Sequence, residues 1–158
     1  MSETDDRAAV VIERTFAAPV EQIWQMWTVP EHFASWYGPT GATITVAQMD
    51  VRVSGARLVG MEMMTPNVPM AMWFAGEFLE VVEPGRLVYT EVLADEHGHP
   101  LDAADVPGGN AVTEVRVELF AVGGGTRMVM THVGVPAGSP GEAGWMMAID
   151  KLDQVLAS

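Results

Sequence analysis

The segment APVEQIWQMWTVPEHFASWYGP, Ala18 to Pro39, sets the architecture of this chain. Pro19 stands where a helix start tolerates it, because the N–H it lacks is one that a helix end leaves unpaired anyway. Val20, Ile23, Trp24 and Trp27 then recur at three- and four-residue spacing, the mark of one buried helical stripe. That helix is expected to end near Thr28. Pro30 and Glu31 open a second short helix through Phe33 and Ser35, after which Gly38, Pro39 and Gly41 force a turn. Two short helices therefore bridge the first two strands.

Upstream, Val10 to Phe16 alternates as a first strand, with Glu13 and Arg14 at its polar points. Residues 1 to 8 are expected to be disordered and residues 9 to 158 to form one domain. Downstream the pattern predicts strands from about Ala42 to Gln48, Ala56 to Met64, Met72 to Val82, Arg86 to Leu93, Val112 to Val122 and Thr126 to Val133. Turns punctuate them at Thr65 to Pro69, at Pro84-Gly85 and at Gly123 to Gly125. The longest loop, Asp95 to Asn110, holds three glycines, two prolines and four acidic residues, which oppose regular structure. After Pro136 to Gly141, the run Trp145, Ile149, Leu152 and Leu156 follows helical spacing, with Asp150, Lys151 and Asp153 on the wet side. The order β-α-α-β6-α describes a curved sheet closed by helices from both ends, an arrangement that leaves a cavity.

Composition narrows the function. With 158 residues and 49% apolar side chains the chain can bury a substantial core. Its longest hydrophobic stretches fall short of the roughly 20 residues a membrane span requires, and Met1 to Asp6 is acidic where a signal peptide is basic. A cytoplasmic protein is the expectation. Eight basic against 21 acidic residues give a formal charge of −13, a field that repels phosphate backbones and anionic lipid surfaces. Nucleic acid and membrane are not expected partners. The lack of cysteine removes disulfides, thiolate zinc sites and cysteine nucleophiles.

Five motifs carry a resemblance: Ala18 to Pro39; MDVR at Met49 to Arg52; FLEVVEPGRLVYT at Phe78 to Thr90; GGGTRMVMTH at Gly123 to His132; and EAGW at Glu142 to Trp145. In that order, and collinear from about residue 10 to 157, they resemble the bacterial heat-shock-protein-90 ATPase activator homologue-like family of the START-like SRPBCC superfamily. The resemblance implies an α+β helix-grip fold: a curved antiparallel sheet of about seven strands around a long C-terminal helix, with a hydrophobic cavity between them. The sequence departs from the family pattern at Tyr37, in place of the second Trp of W-W-G-P, and at Ser54-Gly55, in place of Gly-Gly. Arg57 also stands where a bulky aromatic is often found.

Strand alternation nominates the cavity wall. Arg57, Val59, Met61 and Met63 share one face of the third strand, Trp73, Ala75, Glu77 and Leu79 one face of the fourth, and Met128, Met130 and His132 one face of the last. Trp145 and Ile149 face them from the C-terminal helix. Two readings stand for Arg57, an anchor for an anionic ligand group or a snorkelled surface side chain. Glu77 faces either inward or outward, and His132 is either a structural histidine or a ligand partner; a buried carboxylate or imidazole has its charged form destabilised and can act as acid, base or hydrogen-bond partner. No third group completes a catalytic constellation around them. The methionines, 12 in all, crowd these segments and adapt to irregular shapes, as pocket wall or as core filling.

Other chemistry finds less support. His97, His99, Asp95 and Glu96 share one loop without a distant partner at ligand spacing, and Gly123 to Gly125 joins two strands instead of opening a helix onto a phosphate. No serine has nucleophile-elbow surroundings. No cofactor and no metal are expected. The leading reading is a binder of a small hydrophobic molecule; a protein-interaction or co-chaperone-like module and a cyclase or dehydratase are the alternatives. Trp36 and Tyr37 serve either as a homodimer contact or as packing on the sheet rim, which leaves monomer and homodimer both open.

Overall fold

The computed structural model of the protein describes residues 7–64 and 69–157. Residues 1 to 6 of the expected disordered terminus, and Thr65 to Val68 of the turn after the third strand, lie outside the described residues. The elements follow in the order β1 (Ala9–Phe16), α1 (Val20–Thr28), α2 (Pro30–Ala34), β2 (Ala42–Met49), β3 (Ala56–Met64), β4 (Pro69–Val82), β5 (Arg86–Ala94), β6 (Thr113–Val122), β7 (Gly125–Val133) and α3 (Pro140–Ala157). All seven strands form one antiparallel sheet in the order β1-β7-β6-β5-β4-β3-β2, with β1 and β2 at its edges. The sheet curls around α3 as the helix-grip expectation requires.

The alternation of β1 buries Val10, Ile12 and Phe16, and the stripe of α1 buries Ile23, Trp24, Met26 and Trp27. Phe33 of α2 is fully buried. Trp27 meets Trp36 edge-on, with ring centroids 4.9 Å apart, and stacks on Trp145 of α3 at 5.9 Å. Trp36 donates its indole N–H to the Met26 carbonyl at 2.9 Å. Trp36 and Tyr37 are both buried within the chain, so they serve the packing of the sheet rim and are not an exposed dimer contact.

Polar ties hold the helical segments to the sheet and to one another. Thr126 on β7 donates to the Ala18 carbonyl ahead of α1 at 2.8 Å. Arg14 on β1 pairs with Asp150 of α3 at 3.0 Å. Lys151 of α3 reaches the Tyr37 and Pro39 carbonyls at 3.4 and 3.3 Å.

The β2–β3 connection shows where backbone geometry dictates residue choice. Ser54 has φ +69°, a left-handed conformation that costs a side chain about 1–2 kcal/mol, and its N–H is tied to the Phe78 carbonyl at 2.8 Å. At Gly55 a Cβ would stand 1.9 Å from the Asp50 carbonyl oxygen. Replacing Gly55 by Ala is therefore expected to cost about 2–4 kcal/mol through forced backbone displacement. Ser54→Gly is expected to raise stability by a few tenths to about 1 kcal/mol, since relief of strain exceeds the entropy of the freer unfolded chain. Urea denaturation of both variants checks the pair of opposite signs.

Candidate functional site

On β3, Arg57, Val59 and Met61 are buried and Met63 half-buried on the concave face. Their register partners on β4 are Gly76, Phe74, Met72 and Met70, so the even-numbered residues of β4 from Met70 to Phe78 share that face. Trp73, Ala75 and Glu77 consequently project from the opposite, convex face, which corrects the sequence-based placement. Trp73 lies across Gly60, where a Cβ would come within 2.4 Å of the indole ring. Glu77 is exposed, and Leu79 sits exposed at a bulge between Phe78 and Glu80. The pattern misleads because β4 is apolar on both faces, and the bulky Trp73 is accommodated outside by a glycine on the neighbouring strand.

Between the concave face and the first half of α3 lies a cavity of about 800 Å³. Its sheet wall comprises Met61 and Met63 of β3, Met72 and Phe74 of β4, and Glu91 to Leu93 of β5. Gly144, Trp145 and Ala148 of α3 form the opposite wall, Tyr37 to Pro39 one end, and Val106 to Ala111 part of the rim. Of the nominated residues, Met61, Met63, His132 and Trp145 line this space. Val59, Met128, Met130 and Ile149 point inward but are fully buried in the core beside it. Arg57 points inward too, only 2% exposed, yet does not line the cavity.

The polar end of the cavity is built around Glu91, a residue the sequence reading passed over. β5 places Leu87, Tyr89, Glu91 and Leu93 on one face, with Val117, Val115 and Thr113 of β6 opposite the first three. Glu91 Oε2 lies 3.5 Å from Arg57 Nη1 and accepts the Tyr37 hydroxyl at 3.3 Å. The Arg57 guanidinium lies 3.9 Å from the Tyr89 ring centroid and 5.1 Å from that of Phe33, so ring faces supply part of the stabilisation lost on leaving water. Neither reading of Arg57 from the sequence holds: it is the buried partner of Glu91. A lone acid in an apolar strand row, answering a lone arginine in another, was the available signal.

His132 continues the network. Trp145 Nε1, which can only donate, lies 2.9 Å from His132 Nδ1, so Nδ1 accepts and the proton of the neutral ring belongs on Nε2. Nε2 then donates to Thr113 Oγ1 at 2.8 Å, and the Thr113 hydroxyl donates to the Glu91 carbonyl at 3.1 Å. This chain has one consistent direction only while His132 is neutral. Burial holds the imidazole below its usual pKa, outweighing the nearby Glu91 carboxylate, which raises it. Burial, reinforced by Glu91, pushes the Tyr37 hydroxyl well above its ordinary value and keeps it a donor.

The acidic loop after β5 is more ordered than its composition suggests. A single 3-10 turn spans Ala103–Asp105, and the Asn110 side chain clamps the Leu93 backbone and the Leu101 carbonyl. Asp95 accepts from the His97 and His99 backbone N–H groups at 2.8 and 3.0 Å, which lowers its pKa and gives it a turn-forming role. Among the described residues no group of three or more His, Asp or Glu side chains is placed to hold a metal ion. Among the described residues no helix is long and apolar enough to cross a membrane.

Linkage fixes the sign of the pH dependence. Because the folded-state pKa of His132 is below 6.5, the unfolded chain binds the proton first as pH falls, and stability is lost from about pH 6.5 downward. His132→Gln keeps hydrogen-bonding capacity without the titration. Its stability is expected to fall less steeply than that of the parent between pH 7 and 5, measured by urea midpoints; equal slopes would refute the neutral-imidazole assignment.

The chain is similar in fold to a protein of Chromobacterium violaceum (TM-score 0.75, 21% identity, covering 93% of this chain and 96% of the other). A solution structure from Arthrobacter aurescens gives a TM-score of 0.76 at 25% identity, with coverages of 96% and 87%. The AHSA1 protein of Silicibacter pomeroyi gives 0.69 at 20%, with coverages of 95% and 98%. No curated protein matches the chain. The pattern of the family described as Activator of Hsp90 ATPase homolog 1-like protein matches residues 17–157, nearly the whole sequence, and the chain belongs to that family.

Proposed function

We propose that the chain binds a small hydrophobic molecule in the cavity between the sheet and α3. The observation that carries this reading is the shape and chemistry of the space itself. It measures about 800 Å³, is walled by methionine and aromatic side chains, and gathers its polar groups at one end around Glu91 and His132. Ligand pockets typically span about 300–1,000 Å³ with a mostly apolar lining and a few placed polar groups. Unbranched thioethers at Met61, Met63 and Met72 can reshape to an aromatic or flexible guest.

Native mass spectrometry of freshly purified protein, followed by denaturing extraction, tests for a co-purifying apolar compound. A reproducibly empty protein whose melting temperature no lipid or aromatic compound shifts would favour the interaction-module reading that the family description suggests. Gly144 offers a sharper test, because it lines the cavity and a Cβ there would meet nothing within 4 Å. Gly144→Leu removes a helix-interior glycine and is expected to raise stability by about 0.5–1 kcal/mol. Its side chain occupies the ligand's space, so affinity is expected to fall by about tenfold or more. Unchanged binding by a stabilised Gly144→Leu protein would place the ligand elsewhere.

A further inference from the structure

We propose that the cavity selects an uncharged apolar molecule bearing a hydroxyl or N–H donor, which it presents to Glu91 Oε1, and that it discriminates against carboxylates. This rests on the ligand-binding reading above and adds the chemical class of the guest.

Donors and acceptors are unequally matched among the residues lining the polar end of the cavity. The Tyr37 hydroxyl is committed to Glu91 Oε2, the Trp145 N–H to His132 Nδ1, and the His132 Nε2–H to Thr113. The Thr113 hydroxyl is committed to the Glu91 carbonyl, and the Asn110 amide to the backbone of Leu93 and Leu101. The side-chain donors that line this end therefore have partners already, whereas the unpartnered Arg57 Nη1 and Nη2 and the Tyr89 hydroxyl belong to residues behind the lining. Glu91 Oε1 accepts no hydrogen bond among the described residues, and His132 Nε2 stands 3.9 Å from it, beyond hydrogen-bond range. An ionised carboxylate has about four lone-pair positions, so Glu91 retains capacity facing the space it lines.

Charge narrows the class. A carboxylate guest would meet the Glu91 carboxylate first, because Arg57 lies behind it and outside the lining. An ammonium guest would gain little, because the Arg57 guanidinium 3.5 Å from Oε2 already balances the site. A neutral donor avoids both penalties and forms a charge-assisted hydrogen bond, the stronger kind. Phe74, Trp145 and the methionines then enclose the apolar body.

Titration calorimetry with 2-naphthol, naphthalene, 2-naphthoate and 2-naphthylmethylammonium separates these cases on a single scaffold. The expected result is 2-naphthol binding about tenfold or more tightly than each of the others, the scale of a hydrogen bond to a charged acceptor. Flat affinities, or a preference for naphthoate or for the ammonium, would overturn the donor selection and leave the cavity reading standing. No binding by any of the four overturns the donor selection together with the cavity reading. Glu91→Gln is expected to erase most of the naphthol advantage; persistence of the full ratio would assign the contact to another group and overturn the proposal. If that variant fails to fold, the four-compound ranking on the unmodified protein decides alone.

Discussion

The structure turns on Trp145. Its ring stacks on Trp27 of α1 at 5.9 Å and meets Tyr37 edge-on at 5.5 Å, while its N–H reaches His132 of β7 at 2.9 Å. One side chain thus joins α3 to the α1–α2 layer by dispersion and to the sheet by a directional bond. Apolar contact fixes only that the helix covers the concave face. The indole hydrogen bond fixes where along the sheet it lies, since an indole N–H has no second role and a buried imidazole nitrogen left unpaired would cost about 1–3 kcal/mol. The same bond makes α3 sensitive to the protonation of His132, whose charged form would set two N–H groups against each other.

A buried ion pair beneath an apolar cavity is weak evidence of stability. Desolvating both Arg57 and Glu91 costs several kcal/mol per ion, which attraction offsets only with good geometry and further partners. At 3.5 Å the direct contact is long, and neither Arg57 Nη1 nor Nη2 makes a hydrogen bond among the described residues. The Tyr89 and Phe33 rings and the Tyr37 hydroxyl offset part of that cost. A hydrophobic pair of similar volume would often hold such a site equally well or better. The arrangement makes physical sense as a way to keep a carboxylate at the edge of an otherwise apolar space.

The fold was largely legible in the sequence because its signals are local and redundant. The stripe Val20, Ile23, Trp24, Trp27 fell where α1 forms, and β3 spans Ala56–Met64 as its alternation indicated. Parity on β7 was readable, since Arg127 and Thr131 mark its outer face, and on β3 Glu62 alone does so while Arg57 points inward. Parity on β4 was not, because both faces are apolar and the ring of Trp73 finds room over Gly60 on the convex side. Glu91 escaped notice for a related reason: a single charge in a strand is ordinarily a solvated one, and only the cross-sheet register reveals that Arg57 answers it. Such pairings live in the tertiary arrangement and leave a faint trace in one strand at a time.

The position of the cavity follows from an asymmetry within α3. Toward its C-terminal half, Ile149 and Leu152 are fully buried and, with Met128 and Met130, fill the space between helix and sheet. Toward its N-terminal half the residues facing the cavity include Gly141, Gly144 and Ala148, too small to reach the sheet. A glycine in a helix interior costs about 1 kcal/mol relative to alanine, and leaving apolar walls unpacked forfeits dispersion contacts as well. Gly141 has a local reason, since a Cβ there would come within 2.6 Å of Val135; Gly144 has open space around it and no such constraint. A helix optimised for stability alone would carry a larger side chain at Gly144. Its absence keeps the space above Glu91 open, so the features that weaken packing and the feature that sets polarity converge on one volume.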